Sequence, residues 1–293
     1  VTGMFRLRSN AKINLGLRIV GERPDGYHLI ETVFQEIDFG DQITFEKTDA
    51  PGIRFETDST SLPSDSSNLC VKAYNRLREE YSRIGGVKLT LEKNIPVGAG
   101  LGGGSSNAAT TLLGLVRFFS LDISEQILLN IAADLGADVP FFLHGGMAHG
   151  AGIGDQIRPL ETNFDETILL VCPDIQISTK WAYANVKYDL TKPQAGNKFK
   201  GFFDKRELSQ RLVNDFEPLI MERYSEIGDI KHQLMHLQAD YVSLSGSGSV
   251  IFGIYSDKNG ARRAARELST KYHTELVRAV QRDMPRLYGF LRR

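Results

Sequence analysis

Five glycines fall within seven positions, at Gly98, Gly100, Gly102, Gly103 and Gly104, and Ser105 and Ser106 follow directly. Ala108, Leu112, Leu115 and Phe119 then recur at helical spacing, with Ala109, Leu113 and Val116 beside them, so the glycine run opens a helix with a wide apolar face. A glycine run before a helix lets backbone approach an anion closely, and the helix start adds free amides and a positive dipole end. The competing reading is a tight, buried strand-to-helix connection, which gives no reason for so many glycines.

Two further glycine clusters punctuate the chain, Gly145 to Gly154 and Ser245 to Ser249. Before the first cluster, Ile13, Leu15, Leu17 and Ile19 alternate with Lys12, Asn14 and Arg18, which predicts a half-buried strand over Ala11 to Val20. Arg23-Pro24-Asp25-Gly26 is turn chemistry, and Glu31 to Glu46 reads as more strand. Asn68 precedes a helical pattern through Val71, Tyr74 and Leu77, and Val87, Leu89 and Leu91 alternate into the glycine loop. A second helix is expected from Asp122, with Glu125 completing a capping box and Gly136 as a left-handed cap. The best candidate boundary lies at Asn163 to Thr167, dividing residues 1–162 from 163–293, with strands at Thr167 to Cys172, Tyr241 to Val242 and Val250 to Tyr255. Many strands ahead of a strand, glycine loop, helix, helix order favour an α+β sandwich over a βαβ ladder.

The chain is long enough, at 293 residues, to bury a core without disulfide or metal. Cys70 and Cys172 give no metal spacing and no disulfide framework. A net charge of −1 offers no global attraction to nucleic acid or anionic membrane, and apolar runs such as Ile168 to Cys172 are too short to span a bilayer. Val1-Thr2-Gly3 reads as a cloning remnant ahead of a native Met4, with no signal-peptide pattern after it. A soluble cytoplasmic protein is expected, acting on small molecules as a monomer or weak homodimer.

Which anion binds is less settled by the glycines alone. Gly98, Gly100 and Gly103 satisfy the dinucleotide fingerprint, with Asp122 further on, but Pro96 interrupts the approach from the strand. No lysine follows the last glycine as a P-loop requires, and no protein-kinase catalytic motif is present.

Pro96-Val97-Gly98-Ala99-Gly100-Leu101-Gly102-Gly103-Gly104-Ser105-Ser106 resembles the second motif of the GHMP small-molecule kinases, which include galactose, homoserine, mevalonate and phosphomevalonate kinases. Leu244-Ser245-Gly246-Ser247-Gly248-Ser249 resembles their third motif and Ala11-Lys12-Ile13-Asn14-Leu15 their first. Arg23 to His28, Thr32 to Gln35 and Gly136 to Phe142 narrow the likeness to the branch acting on a cytidine-diphosphate-linked methylerythritol in isoprenoid precursor synthesis. The likeness is dense from Phe5 to Ile157 and thin afterwards. It implies a two-domain α+β fold, a ribosomal-protein-S5-like sandwich followed by a ferredoxin-like domain, with the active site between them.

The resemblance also implies roles. Asp138 would take or orient the proton of the attacking 2-hydroxyl, and Lys12 would hold that hydroxyl and offset γ-phosphoryl charge. Residues 96 to 106 would bind ATP, with Asn68 near the adenine, while Ser245, Gly246, Ser247 and Gly248 close the cleft from the other side. Tyr27, His28 and Phe34 match the positions that hold the cytidine end, and Tyr183 is the candidate second stacking ring. Asn14 shares a strand face with Lys12, about 6.6 Å away, and lines the same cleft. Mg²⁺ is expected mostly on phosphates and water, with Ser105 and Ser106 the obvious side-chain candidates. Read without the motifs, Asp138 is a helix cap, Lys12 a solvated strand residue and the Tyr27-His28 pair surface packing; His144 and His149, five apart on a glycine-rich loop, are read as loop packing rather than metal ligands. Another GHMP kinase, with a homoserine, mevalonate or sugar acceptor, and a non-catalytic nucleotide-binding relative remain as alternatives.

Overall fold

The computed structural model describes residues 3–161, 165–188, 212–282, 286–287 and 289. Its longest elements are β1 (Met4–Glu22) and β2 (His28–Lys47), which pair antiparallel along almost their whole length. Arg23 to Tyr27 turns the chain between them, with the Arg23 amide donating to the Tyr27 carbonyl. β3 (Ile53–Thr57), β4 (Val87–Glu92), β5 (Met147–Ala151) and β6 (Gln156–Pro159) complete the first sheet in the order β3-β4-β2-β5-β6, with β1 on the other side of β2. Four helices pack on it: α1 (Leu69–Glu80), α2 (Gly103–Phe118), α3 (Glu125–Leu135) and α4 (Val139–His144). Phe45, Leu89, Leu112, Leu113, Leu128 and Phe141 meet in the core between the layers.

The second sheet is antiparallel, in the order β10-β7-β9-β8, built from β7 (Thr167–Cys172), β8 (Tyr241–Leu244), β9 (Ile251–Tyr255) and β10 (His273–Arg278). α5 (Thr179–Asn185), α6 (Glu217–Arg223) and α7 (Ser225–His236) lie between β7 and β8 in the chain, and α8 (Lys258–Leu268) between β9 and β10. This is the ferredoxin-like arrangement of a split βαβ pair. Part of the expected boundary at Asn163 to Thr167 lies outside the described residues.

Three expectations need correction. β1 is buried on both faces from Ala11 to Leu17, because its polar face looks into the cleft rather than into solvent. α3 starts at Glu125 with Ser124 as its cap, since the Ser124 hydroxyl reaches the Ile127 amide, and Gly136 is extended (φ 160°) rather than left-handed. Val139-Pro140 opens α4, because proline suits the first turn, where its missing amide has no partner to lose. The second glycine cluster contains β5, so His149 is a strand residue and His144 ends α4; Gly150 is required there because a Cβ would stand 2.4 Å from the Phe34 ring.

Residues beyond β10 return to the first sheet. The Val280 amide donates to the Glu36 carbonyl, Arg282 makes two bonds to the Glu36 carboxylate (2.6 and 2.7 Å), and Leu287 is fully buried beside α4. Burial alone would raise the Glu36 pKa, but the Arg282 hydrogen bond and charge, the Arg286 charge and the Gly146 amide together hold it below its ordinary 4.5. Its stabilising contribution is therefore present above the ordinary value and lost as pH falls through the lowered one. Glu36→Gln should cost about 2 kcal/mol near neutral pH, less than a fully buried pair because Arg282 can turn to solvent. Urea unfolding should show this difference shrinking once the pH drops below 4.5.

Candidate active site

β1 ends the first sheet, and its free edge faces the second domain. The Lys12 amide donates to the Leu101 carbonyl (3.0 Å), the Asn14 amide to Ser245 Oγ (3.3 Å) and the Leu17 amide to the Val213 carbonyl (2.8 Å). The Tyr241 hydroxyl caps the Leu15 carbonyl at 2.6 Å. These bonds bring the glycine loop, the Ser245 motif and the Lys12 strand to one line, beside a cleft of about 1240 Å³.

Lys12 points into that cleft from a nearly closed position, 4% exposed, with Nζ 3.6 Å from Asp138 Oδ2, 2.5 Å from Asn14 Oδ1 and 5.5 Å from the Phe34 ring centre. Burial lowers its pKa from 10.5, opposed by the charge and hydrogen bond of Asp138. Asp138 occupies the cap position of α4 but makes no capping bond, so its carboxylate is left to face Lys12.

The glycine loop turns with positive φ at Gly98, Gly100 and Gly102 before α2 begins at Gly103. At Gly100 a Cβ would meet the Ser245 carbonyl oxygen at 2.0 Å, so glycine is required there on two counts. Beneath the loop, Asp41 accepts from Lys93 Nζ (2.8 Å), the Asn94 and Ile95 amides (2.7 and 2.8 Å) and Asn107 (2.8 Å). No motif in the sequence marks Lys93 or Asp41; a charged residue between strand and loop is the available signal.

The structure gathers most of the expected residues at the cleft: Lys12, Asn14, Tyr27, His28, Phe34, residues 96–105, Asp138, Tyr183, Gly246 and Ser247. His28 meets Tyr183 at 5.2 Å and Tyr188 at 5.5 Å, and Tyr183 stands on edge against Phe216 at 4.9 Å. Tyr27 is largely exposed at the rim. Tyr188 and Thr179 join the lining without any motif to announce them.

The structure alters or adds to four of the expected roles. Ser106 is fully buried, bonded to Ser9 Oγ (2.8 Å) and the Asn10 carbonyl (2.5 Å), so it ties α2 to β1 and leaves Ser105 as the serine on the cleft. Asn68 stays outside the lining because its amide caps α1 at the Cys70 amide and donates to the Pro63 carbonyl. Phe34 is 1% exposed and packed on Phe141 at 4.9 Å, so it is wall rather than a free stacking face. The Ser245 motif also buttresses the loop: Ser245 Oγ donates to the Gly100 carbonyl and the Val250 amide to the Ala99 carbonyl, while Gly246 and Ser247 line the cleft. Asn214 holds that motif, donating to the Leu244 and Gly246 carbonyls, both at 2.8 Å; no spacing in the sequence links it there.

No helix among the described residues is long and apolar enough to cross a membrane, and they hold no cluster of three or more His, Cys, Asp or Glu fit for a metal.

Residues 68–146 match the model of the GHMP kinase N-terminal domain and residues 196–274 that of the GHMP kinase C-terminal domain. The chain is 40% identical over 272 residues to a 4-diphosphocytidyl-2-C-methyl-D-erythritol kinase of Chloroherpeton thalassium, covering 91% of this chain and 95% of that one. A crystal structure of 4-(cytidine 5′-diphospho)-2C-methyl-D-erythritol kinase superposes with a TM-score of 0.78 at 30% identity, over 94% of this chain and 99% of the other. A homoserine kinase from Cytophaga hutchinsonii reaches 0.79 at 18% identity, over 98% and 97%, which is a likeness of fold.

Gly100→Ala should weaken nucleotide binding at least about tenfold, because the loop must part from Ser245 to admit the methyl group. Titration with a fluorescent ATP analogue measures this; unchanged affinity would mean that the loop does not hold the phosphates.

Proposed function

This chain belongs to the 4-diphosphocytidyl-2-C-methyl-D-erythritol kinase family of GHMP kinases, and from that premise we propose that it transfers the γ-phosphoryl group of ATP to the 2-hydroxyl of 4-diphosphocytidyl-2-C-methyl-D-erythritol. The observation that carries this reading is the pairing of Lys12 with Asp138 at 3.6 Å, between a glycine loop that begins a helix and an aromatic cluster around His28.

Phosphoryl transfer asks for positioning and charge neutralisation rather than covalent chemistry. The amides of residues 98 to 104 and the start of α2 supply donors for the phosphates. Asp138 accepts or orients the proton of the attacking hydroxyl, and the Lys12 ammonium holds that oxygen and offsets charge on the group in transit. Tyr27 and Tyr183 offer rings to the cytosine and His28 reads its edge, while a homoserine or sugar acceptor would leave this cluster unused. Stacking on such rings contributes about 1–3 kcal/mol per base. The donor set suits a Mg²⁺ that arrives on the nucleotide: Ser105 faces the cleft, and phosphates and water complete the shell of such an ion. When bound, it would neutralise phosphate charge. The division into residues 1–162 and 163–293 belongs to the same reading, with the segment after β10 packing back on the first domain.

A coupled ADP-release assay with the cytidyl substrate, methylerythritol phosphate, homoserine, mevalonate and galactose tests the proposal; turnover with the cytidyl compound alone is expected, and turnover with another acceptor instead overturns it. Asp138→Asn and Lys12→Ala should each lower kcat by about 10²- to 10⁴-fold. Activity that depends on the Lys12 ammonium should fall on the alkaline side at a pH below 10.5, since burial lowers that pKa.

A further inference from the structure

The side chains behind Lys12 form a hydrogen-bond series whose direction follows from donor counting. A lysine ammonium only donates, so the Asn14 atom 2.5 Å from Lys12 Nζ is the carbonyl oxygen Oδ1. The other end of that amide, Nδ2, donates to Thr32 Oγ1 at 2.8 Å. Because Thr32 receives that bond, its own proton is directed at the Gly16 carbonyl, 2.6 Å away. β1 shifts register between Asn14 and Gly16, so this carbonyl lies beside a β-bulge. Thr32 and Asn14 are 2% and 1% exposed, so neither has ready access to solvent.

We propose that Thr32 is a positioning residue for phosphoryl transfer, whose hydroxyl fixes the orientation of the Asn14 amide and thereby holds the Lys12 ammonium facing Asp138. The proposal rests on the reading that Lys12 acts on the group being transferred. Without the hydroxyl, Nδ2 is a buried donor with no acceptor, and a buried polar group left unpaired is costly. Turning the amide over relieves that cost but sets Nδ2 against the ammonium, donor to donor, and displaces Lys12 from Asp138. A purely packing role would instead be served equally well by valine, which has the same shape as threonine.

Thr32→Val and Thr32→Ser in the full chain separate the two. With ATP and the cytidyl substrate, Thr32→Val should lower kcat about tenfold and leave KM for ATP within about twofold, while Thr32→Ser keeps kcat within about threefold of wild type. Wild-type kcat in Thr32→Val, or an equal loss in Thr32→Ser, overturns the proposal. A second measurement needs no acceptor: acetylation of Lys12 by an amine-reactive ester at mildly alkaline pH, followed by peptide mass spectrometry. Labelling should be several-fold faster in Thr32→Val than in wild type or Thr32→Ser, because the ammonium has lost an acceptor that favours its charged form; equal rates overturn the proposal. If the wild type does not turn over the cytidyl substrate, the substrate reading fails while the labelling result still decides the role of Thr32.

Discussion

The free edge of β1 is the constraint on which the rest of this molecule depends. An edge strand presents amides and carbonyls that must be paired when they are buried. β1 has one edge on β2 and offers the other to three different segments: the glycine loop at Leu101, the stretch at Val213 to Asp215, and the Ser245 motif. Two domains therefore meet along backbone hydrogen bonds rather than across an apolar seam alone. Lys12 and Asn14, which project from this edge region, inherit a fixed relation to both.

The second consequence is electrostatic. Lys12 is taken out of water and compensated by one carboxylate at 3.6 Å and one amide oxygen, so its ammonium is held at some cost in burial. A second lysine, Lys93, is treated similarly beneath the loop, where burial lowers its pKa and Asp41 opposes the shift. The positive charge of both and the amide-rich start of α2 line one cavity. A polyphosphate is the complementary charge for such a wall, and this accords with the kinase family to which the chain belongs.

Much of the site was legible in the residues themselves, and for identifiable reasons. Glycine clusters report backbone conformation directly: Gly98, Gly100 and Gly102 take positive φ, and α2 begins inside the run, at Gly103. Alternation in β1 and β4 and the helical spacing in α1 and α2 report which face is apolar. Less legible were the places where a side chain had two possible employers. Asn68 and Ser106 are polar residues near the glycine loop, and one caps α1 while the other ties α2 to β1. Asp138 shows the reverse: a cap position whose carboxylate serves the cleft.

The sequence by itself determined the strand and helix periods, the position of the glycine loop, and the residue types able to carry phosphoryl transfer, because these depend on neighbours a few positions apart. Only the tertiary structure decided which polar atoms face the cleft and which are bound elsewhere. Thr32 is 18 residues from Asn14, Asn214 is 30 from Leu244, and Arg282 is 246 from Glu36. Hydrogen-bond partners at such separations leave no periodic trace, since each pairing is set by where two sheets and a returning C-terminal segment happen to pack.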